Sequence, residues 1–369
     1  MSSAPSAFEK EVGAARAHLE HGRPADAVPH YARALELDPE FFIGRLHYAR
    51  ALELSGRAHD ALVNYYRAIN QAQAKGRWRN EETTAPMLRE LVLHAMRYVD
   101  HGRRQHFERT LADASARLDA AAKRRLELCL QYYLGERAPA YADPRQKPKF
   151  LYYPELPATT YFARTLFPWY EELEARTESI RAELDAVLRD RTNVEPFLKI
   201  DAPEDVPRYL GGGAQGAPAW DAFFFYRHGQ RYDDNCRRCP RTAAILDTLP
   251  LARIPRYAPE VCFSVLTPGT HILPHRGVTN TRLVTHLPLI VPANCALNVG
   301  GELHAWQEGR CVTFDDTFEH EAWNRGDSLR VVMLLDVWNP HLAPAECEAV
   351  TLLLGAIRDF NTAAGIAFD

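Results

Sequence analysis

Two histidines, His275 and His320, stand 45 positions apart between Cys262 and Pro340. The first lies in CFSVLTPGTHILPHRGVTNTRLVTHLPL, the second in FDDTFEHEAWNRGDSLRVVMLLDVWNP. Neutral imidazoles are good ligands for iron, and iron that activates oxygen also needs open coordination positions. Within a small β-barrel the usual ligand pattern is His-x-Asp on one segment and a second His further along. Here the triplet is His275-Arg276-Gly277, so glycine stands where the carboxylate would be. The pair would therefore hold Fe(II) with two protein ligands and not three. Arg330, ten residues past His320, is placed to anchor a co-substrate. It shares a strand face with Val332 and Leu334, and an arginine on such an apolar face needs an anion to meet.

The elements that must position these residues read as short strands. They are predicted at 222–226, 261–267, 282–291, 296–299, 303–306, 310–314 and 329–338. Turn signals separate several of them: Pro268-Gly269, Gly300-Gly301, Glu308-Gly309 and Gly326-Asp327. Many short strands with this punctuation predict a jelly-roll barrel over about residues 220–340. Alternation puts Arg282, Val284 and His286 on one face, so Arg282 and His286 can point into one cavity. Pro288 follows on that face and predicts a bulge or an edge, because proline cannot donate to a ladder. The face of Val331, Met333 and Leu335 is expected to pack outward, under helices.

The N-terminal third carries a repeat. Gly22, Ala27, Tyr31 and Ala34 recur 34 positions later as Gly56, Ala61, Tyr65 and Ala68. That is the period of tetratricopeptide repeats, pairs of helices whose stacks form concave binding surfaces. The glycines would end helices, the alanines allow close contact, and the tyrosines fill the gap between. His101-Gly102-Arg103 echoes His21-Gly22-Arg23 and predicts a degenerate third unit. The fold class is thus α+β and multidomain. A helical repeat domain at 8–135 is followed by a proline-rich surface linker at 136–157. A barrel domain with flanking helices occupies 158–369 and closes on a helix at 344–367.

At this level of detail the stretch resembles the aspartyl/asparaginyl β-hydroxylases, Fe(II)- and 2-oxoglutarate-dependent dioxygenases. The phrases FSVLTPGTHILPHRGVTNTRL, FDDTFEHEAW and LRVVMLLDVWNP carry the resemblance, which extends over roughly Tyr152 to Pro340. In that family a glycine does replace the metal carboxylate, which fits Gly277. The resemblance implies a double-stranded β-helix of the cupin type, with His275 and His320 as iron ligands. It implies that Arg330 and Ser264 receive the distal carboxylate of 2-oxoglutarate and that His286 faces its other end. Asp316, four residues before His320, would orient a metal-bound water. The family often carries a second arginine two residues before the position of His286. Here that position is Val284, which leaves Arg282 to meet the substrate. The implied reaction hydroxylates an unactivated C–H, that of the β-carbon of Asp or Asn in a peptide or protein, with O2 as oxidant. Alternatives are a lipid acyl-chain or small-molecule hydroxylase, a halogenase with halide entering beside Gly277, and a non-catalytic repeat scaffold. A peptide or protein substrate recruited by the repeats is the expected partner.

Composition narrows the remaining classes. With 369 residues and 46% hydrophobic content, two globular domains are the expectation. A net charge of −4 with both signs mixed along the chain gives no footprint for nucleic acid. No segment reaches the roughly 20 apolar residues that span a bilayer, and MSSAPSAFEKEV lacks a signal-peptide pattern, so no membrane partner and a cytoplasmic location are expected. Seven scattered cysteines form no secreted disulfide framework. Cys236 and Cys239 read as ordinary thiols or a local disulfide, and Gly211-Gly212-Gly213 as a flexible loop.

Overall fold

The computed structural model describes residues 5–198, 203–212 and 218–366. Spatial clustering separates two compact units, one of residues up to 112 with those from 356 onward, the other of residues 113–355. These divisions fall inside two long helices and not in the proline-rich stretch at 136–157.

In the first unit α1 (Ala7–Glu20) and α2 (Pro24–Leu37) form one helix pair, and α3 (Phe42–Leu54) and α4 (Ala58–Ala74) the next. The 34-residue repeat has a direct physical counterpart. Ala27, Tyr31 and Ala34 are buried, as are Ala61, Tyr65 and Ala68. Gly22 and Gly56 sit at φ +70° and +78°, where a side chain would be strained, so each ends its helix and turns the chain. The third unit differs from the expectation. α5 (Arg89–Ala116) runs unbroken through His101-Gly102-Arg103. Gly102 serves packing instead: a Cβ there would approach Leu62 Cδ1 to 2.7 Å. Tripeptide identity did not distinguish a turn glycine from a contact glycine.

The second unit begins with α6 (Ala120–Leu134), capped by Asp119 at its start and by left-handed Gly135 at its end. The stretch after it is exposed through residues 136–140 and packs into the unit further on. Gln146, Leu151, Tyr152 and Tyr153 are buried, and Lys149, Phe150 and Leu151 donate backbone hydrogen bonds to Gly277 and Val278. Tyr153 Oη and Arg125 of α6 both donate to the buried Glu346 carboxylate, at 2.8 and 2.7 Å. Prolines here fix an extended path along the β unit, which composition alone does not separate from a tether.

The β unit contains two sheets. The larger has the order β1-β3-β5-β12-β7-β10, with β4 on the edge of β3. Its strands are β1 (Glu195–Pro196), β3 (Trp220–Arg227), β4 (Gln230–Arg231), β5 (Val261–Leu266), β7 (Arg282–Ile290), β10 (Val312–Phe314) and β12 (Arg330–Trp338). The smaller has the order β2-β6-β11-β8-β9, from β2 (Leu210–Gly212), β6 (Thr270–His275), β8 (Cys295–Val299), β9 (Glu302–His304) and β11 (His320–Asn324). All of these pairings are antiparallel.

Strand alternation partitions the core as expected. Val331, Met333 and Leu335 join one buried cluster with Leu173 of α7 (Tyr170–Ala175) and Ile180 and Leu184 of α8 (Thr177–Asp190). Val332 and Leu334 join a second cluster with Ile272, Leu297 and Ala322 of the smaller sheet. The irregularity foreseen at Pro288 is present: β7 and β12 slip register between Val331 and Val332, the latter opposite Pro288. Strands β6 and β11, which carry the two histidines, were not foreseen. Each is short, and β6 contains Pro274. α9 (Asp233–Arg238) carries Cys236, and α10 (Pro240–Leu246) follows Cys239. Both cysteines are buried free thiols. Of the glycine run, Gly211 and Gly212 lie in β2, and Gly213 lies outside the described residues. α11 (Pro344–Ala363) closes the chain and ends four residues short of the expected boundary.

Candidate active site

His275 ends β6 and His320 opens β11, directly opposite each other in register. Their ring centroids are 4.0 Å apart. Each Nδ1 lies against a backbone carbonyl two residues before it, Leu273 at 2.8 Å and Phe318 at 3.1 Å. That contact makes Nδ1 the protonated nitrogen and leaves both Nε2 lone pairs available. Burial holds both imidazoles neutral, pushing His320 down to about 4 and His275 below its ordinary value. Two adjacent, neutral, correctly tautomerised imidazoles form a donor set suited to a divalent first-row metal.

The turn before His320 is tightly organised. Asp315 is fully buried and receives Thr317 N–H at 2.9 Å and Gln146 Nε2–H at 2.6 Å. Asp316 points elsewhere. Its Oδ2 meets Arg282 at 3.0 Å, while its buried Oδ1 has no hydrogen-bond partner among the described residues. A methyl group added at Gly277 would overlap the Asp316 carboxyl. The space beside Gly277 is therefore filled by the Asp316 carboxyl group. Among the described residues no group of three or more His, Cys, Asp or Glu side chains is arranged to hold a metal.

The larger sheet supplies the opposite wall. Arg330 begins β12, pairs in register with Leu266, and is only 1% exposed. Its guanidinium lies 5.0 Å from the Trp306 ring centroid and reaches the Ser264 carbonyl and hydroxyl oxygens at 3.4 Å each. Nε has no partner, and no carboxylate pairs with Arg330 among the described residues. Burial lowers its pKa to about 10, so the group stays cationic at neutral pH. A buried charge without a counterion costs stability. Ser264 lies opposite Val332 and receives Trp220 Nε1–H at 2.9 Å. His286 is buried beside Trp306 and Phe314, and its Nδ1 has no partner among the described residues. Burial and the nearby Arg330 hold it far below its ordinary pKa, hence neutral.

These side chains line one cavity of about 240 Å³. It brings together His275, His320, Asp316, Ser264, His286, Arg330 and Arg282. Arg282 differs from the expectation of a cation waiting for substrate. It is clamped between Asp316 at 3.0 Å and Asp336 at 3.2 Å. Burial opposes its charge, but the two carboxylates outweigh burial and raise its pKa. Asp336 was missed, although alternation through Arg330, Val332 and Leu334 arrives at it next. Glu260 and Trp220 were missed as well; both line the cavity, and neither belongs to a recognisable spacing.

Residues 174–340 match the family model described as Aspartyl/Asparaginyl beta-hydroxylase. Human "Aspartate beta-hydroxylase domain-containing protein 2" is 35% identical over 217 residues, 58% of this chain and 56% of that protein. Human "Aspartyl/asparaginyl beta-hydroxylase" is 37% identical over 128 residues, 34% of this chain and 17% of that protein. "Ornithine lipid ester-linked acyl 2-hydroxylase" of Rhizobium tropici is 36% identical over 182 residues, 48% of this chain and 60% of that protein. The chain spans between about a sixth and three fifths of the length of these relatives. Residues 174–340, which carry most of the cavity lining, are thus similar to the aspartyl/asparaginyl beta-hydroxylases, and the helical unit lies outside the match.

Proposed function

We propose that this cavity binds Fe(II) through His275 and His320 and 2-oxoglutarate through Arg330, Ser264 and His286, and that it hydroxylates the β-carbon of an Asp or Asn residue in a peptide or protein. The observation that carries this reading is Arg330: a guanidinium 1% exposed, without a carboxylate partner, in the same cavity as two neutral imidazoles. A dicarboxylate supplies the missing counterion, and a planar guanidinium binds it with two parallel hydrogen bonds. The iron supplies oxygen activation. One oxygen atom of O2 enters the substrate C–H and the other enters succinate, while carbon dioxide leaves. The chain's own contribution is orientation and exclusion of water: Trp306 shields Arg330, Trp220 fixes Ser264, and the Nδ1 contacts of the two histidines fix their rings.

The two facing sheets are read as the jelly-roll, cupin-type barrel, and α1–α4 as tetratricopeptide-type repeats that recruit the substrate. An acyl-chain hydroxylase is the second reading. It is favoured by the similarity to the acyl 2-hydroxylase and by the apolar cavity wall of Ile272, Leu297, Phe314 and Leu334. Purified protein incubated with Fe(II), 2-oxoglutarate and a cell peptide library should release succinate and add one oxygen to a subset of peptides. His320→Ala should abolish both. Oxygen appearing only in a lipid extract would select the second reading. Full turnover by the His320→Ala protein would remove the metal assignment, and absence of 2-oxoglutarate binding would leave the scaffold reading.

A further inference from the structure

The cavity is asymmetric in charge. Its described lining holds two cations, Arg330 and Arg282, and three carboxylates, Glu260, Asp316 and Asp336. Arg330 belongs to the co-substrate end. At the other end Arg282 is already compensated twice. Asp336 is held in place by Glu260 N–H at 2.9 Å, and Glu260 accepts His228 N–H at 2.6 Å. Val284, on the same strand face as Arg282 and His286, adds no charge. One acceptor at this end is left over: Asp316 Oδ1, in a residue 5% exposed, has no partner among the described residues.

We infer that the substrate side chain entering this cavity bears a carboxamide, and that Asp316, with Asp336 and Glu260 behind it, selects it over a carboxylate. The inference rests on the hydroxylase reading and narrows it. A carboxamide N–H donates to Asp316 Oδ1 and satisfies the orphan acceptor. A carboxylate has no proton to donate and meets the Asp316 carboxylate, with no unpaired cation at this end among the described lining residues to offset it. The two groups are nearly the same size, so shape does not decide between them. An acceptor that orients a water in the resting site can pass to the substrate N–H when the water leaves.

Two degenerate peptide libraries test this, identical except for a fixed central Asn or Asp. Each is measured in two ways: retention on immobilised metal-free protein, and gain of one oxygen with Fe(II) and 2-oxoglutarate. The Asn library should be favoured by at least about tenfold in both. Glu260→Gln, a partly exposed position, should narrow the ratio while far-UV circular dichroism stays unchanged. Equal behaviour of the two libraries, silence included, overturns the inference, as does preference for Asp. Binding of 2-oxoglutarate with manganese(II), read by isothermal titration without peptide, reports on the hydroxylase reading separately. If that binding is absent while retention still favours Asn, the charge selection stands and the oxygenase reading falls.

Discussion

Arg330 and Arg282 enter one cavity from neighbouring strands, yet they are opposite kinds of arginine. Arg282 is held by two carboxylates and completes an ionic cluster within the fold. Arg330 is more deeply buried, 1% exposed against 12% for the Arg282 side chain, but among the described residues it has two long contacts to Ser264 and an aromatic face. A cation whose charge is balanced internally is part of the scaffold. A cation buried without balance is a cost that persists because something from outside binds to it. Residue type and position at the start of a strand are shared; the neighbours differ.

The sharpest way to break this contrast is to remove each charge while keeping the volume. Arg282→Met would leave Asp316 and Asp336 buried and unpaired, and should cost about 3–5 kcal/mol or prevent folding. The urea midpoint measures it, and adding Asp336→Asn should recover part of the loss. A stability unchanged by Arg282→Met would mean that the carboxylates do not depend on the guanidinium. Arg330→Met should behave in the opposite sense. Removing an uncompensated buried charge should leave the fold unchanged or stabilise it by about 1–4 kcal/mol. The same variant should lose the rise in melting temperature that 2-oxoglutarate with manganese(II) gives the parent. If Arg330→Met unfolds the protein as severely as Arg282→Met does, the two arginines are alike and the distinction is wrong.

Gly277→Ala probes the junction between the two ends. The added methyl overlaps the Asp316 carboxyl, which is anchored by Arg282 and cannot swing freely. Overpacking of this kind costs about 1–3 kcal/mol. Because Asp316 would be pushed relative to His320, succinate formation should fall further than stability does. Equal losses in both would show that Gly277 serves only packing.

Much of this site was legible from the sequence because a strand has a period of two. Placing Arg282, Val284 and His286 on one face, and Arg330, Val332 and Leu334 on another, required no structure, and all of these but Val332 line the cavity. What was not legible depended on pairing between distant segments. Asp336 lies opposite Val284 across β7 and β12, a register that neither strand encodes alone. The buried role of Gln146 was hidden for the same reason: its partner Asp315 is 169 positions away. Gly102 shows the limit within helices. Its tripeptide matched a turn, but its partner is Leu62 on another helix, and packing decided the outcome. The helical repeat was readable because its identity pattern is itself a record of contacts made twice.

The smallest effect is expected one step back from Arg330. Trp220 Nε1–H donates to Ser264 Oγ at 2.9 Å, and its ring stacks on Phe197 at 3.9 Å between centroids. Trp220→Phe keeps much of the stack and removes only the donor. Ser264 Oγ then loses one partner and can rotate away from Arg330, 3.4 Å distant. A neutral hydrogen bond of this type contributes about 1 kcal/mol, or about fivefold in affinity. The dissociation constant for 2-oxoglutarate should rise by that factor with stability nearly unchanged, as read by isothermal titration with manganese(II). An equal substitution at the Arg282 end, Val284→Ala, should leave that constant alone. If both variants weaken 2-oxoglutarate alike, the co-substrate is not confined to the Arg330 end, and the division of the cavity into a ligand end and a scaffold end must be redrawn.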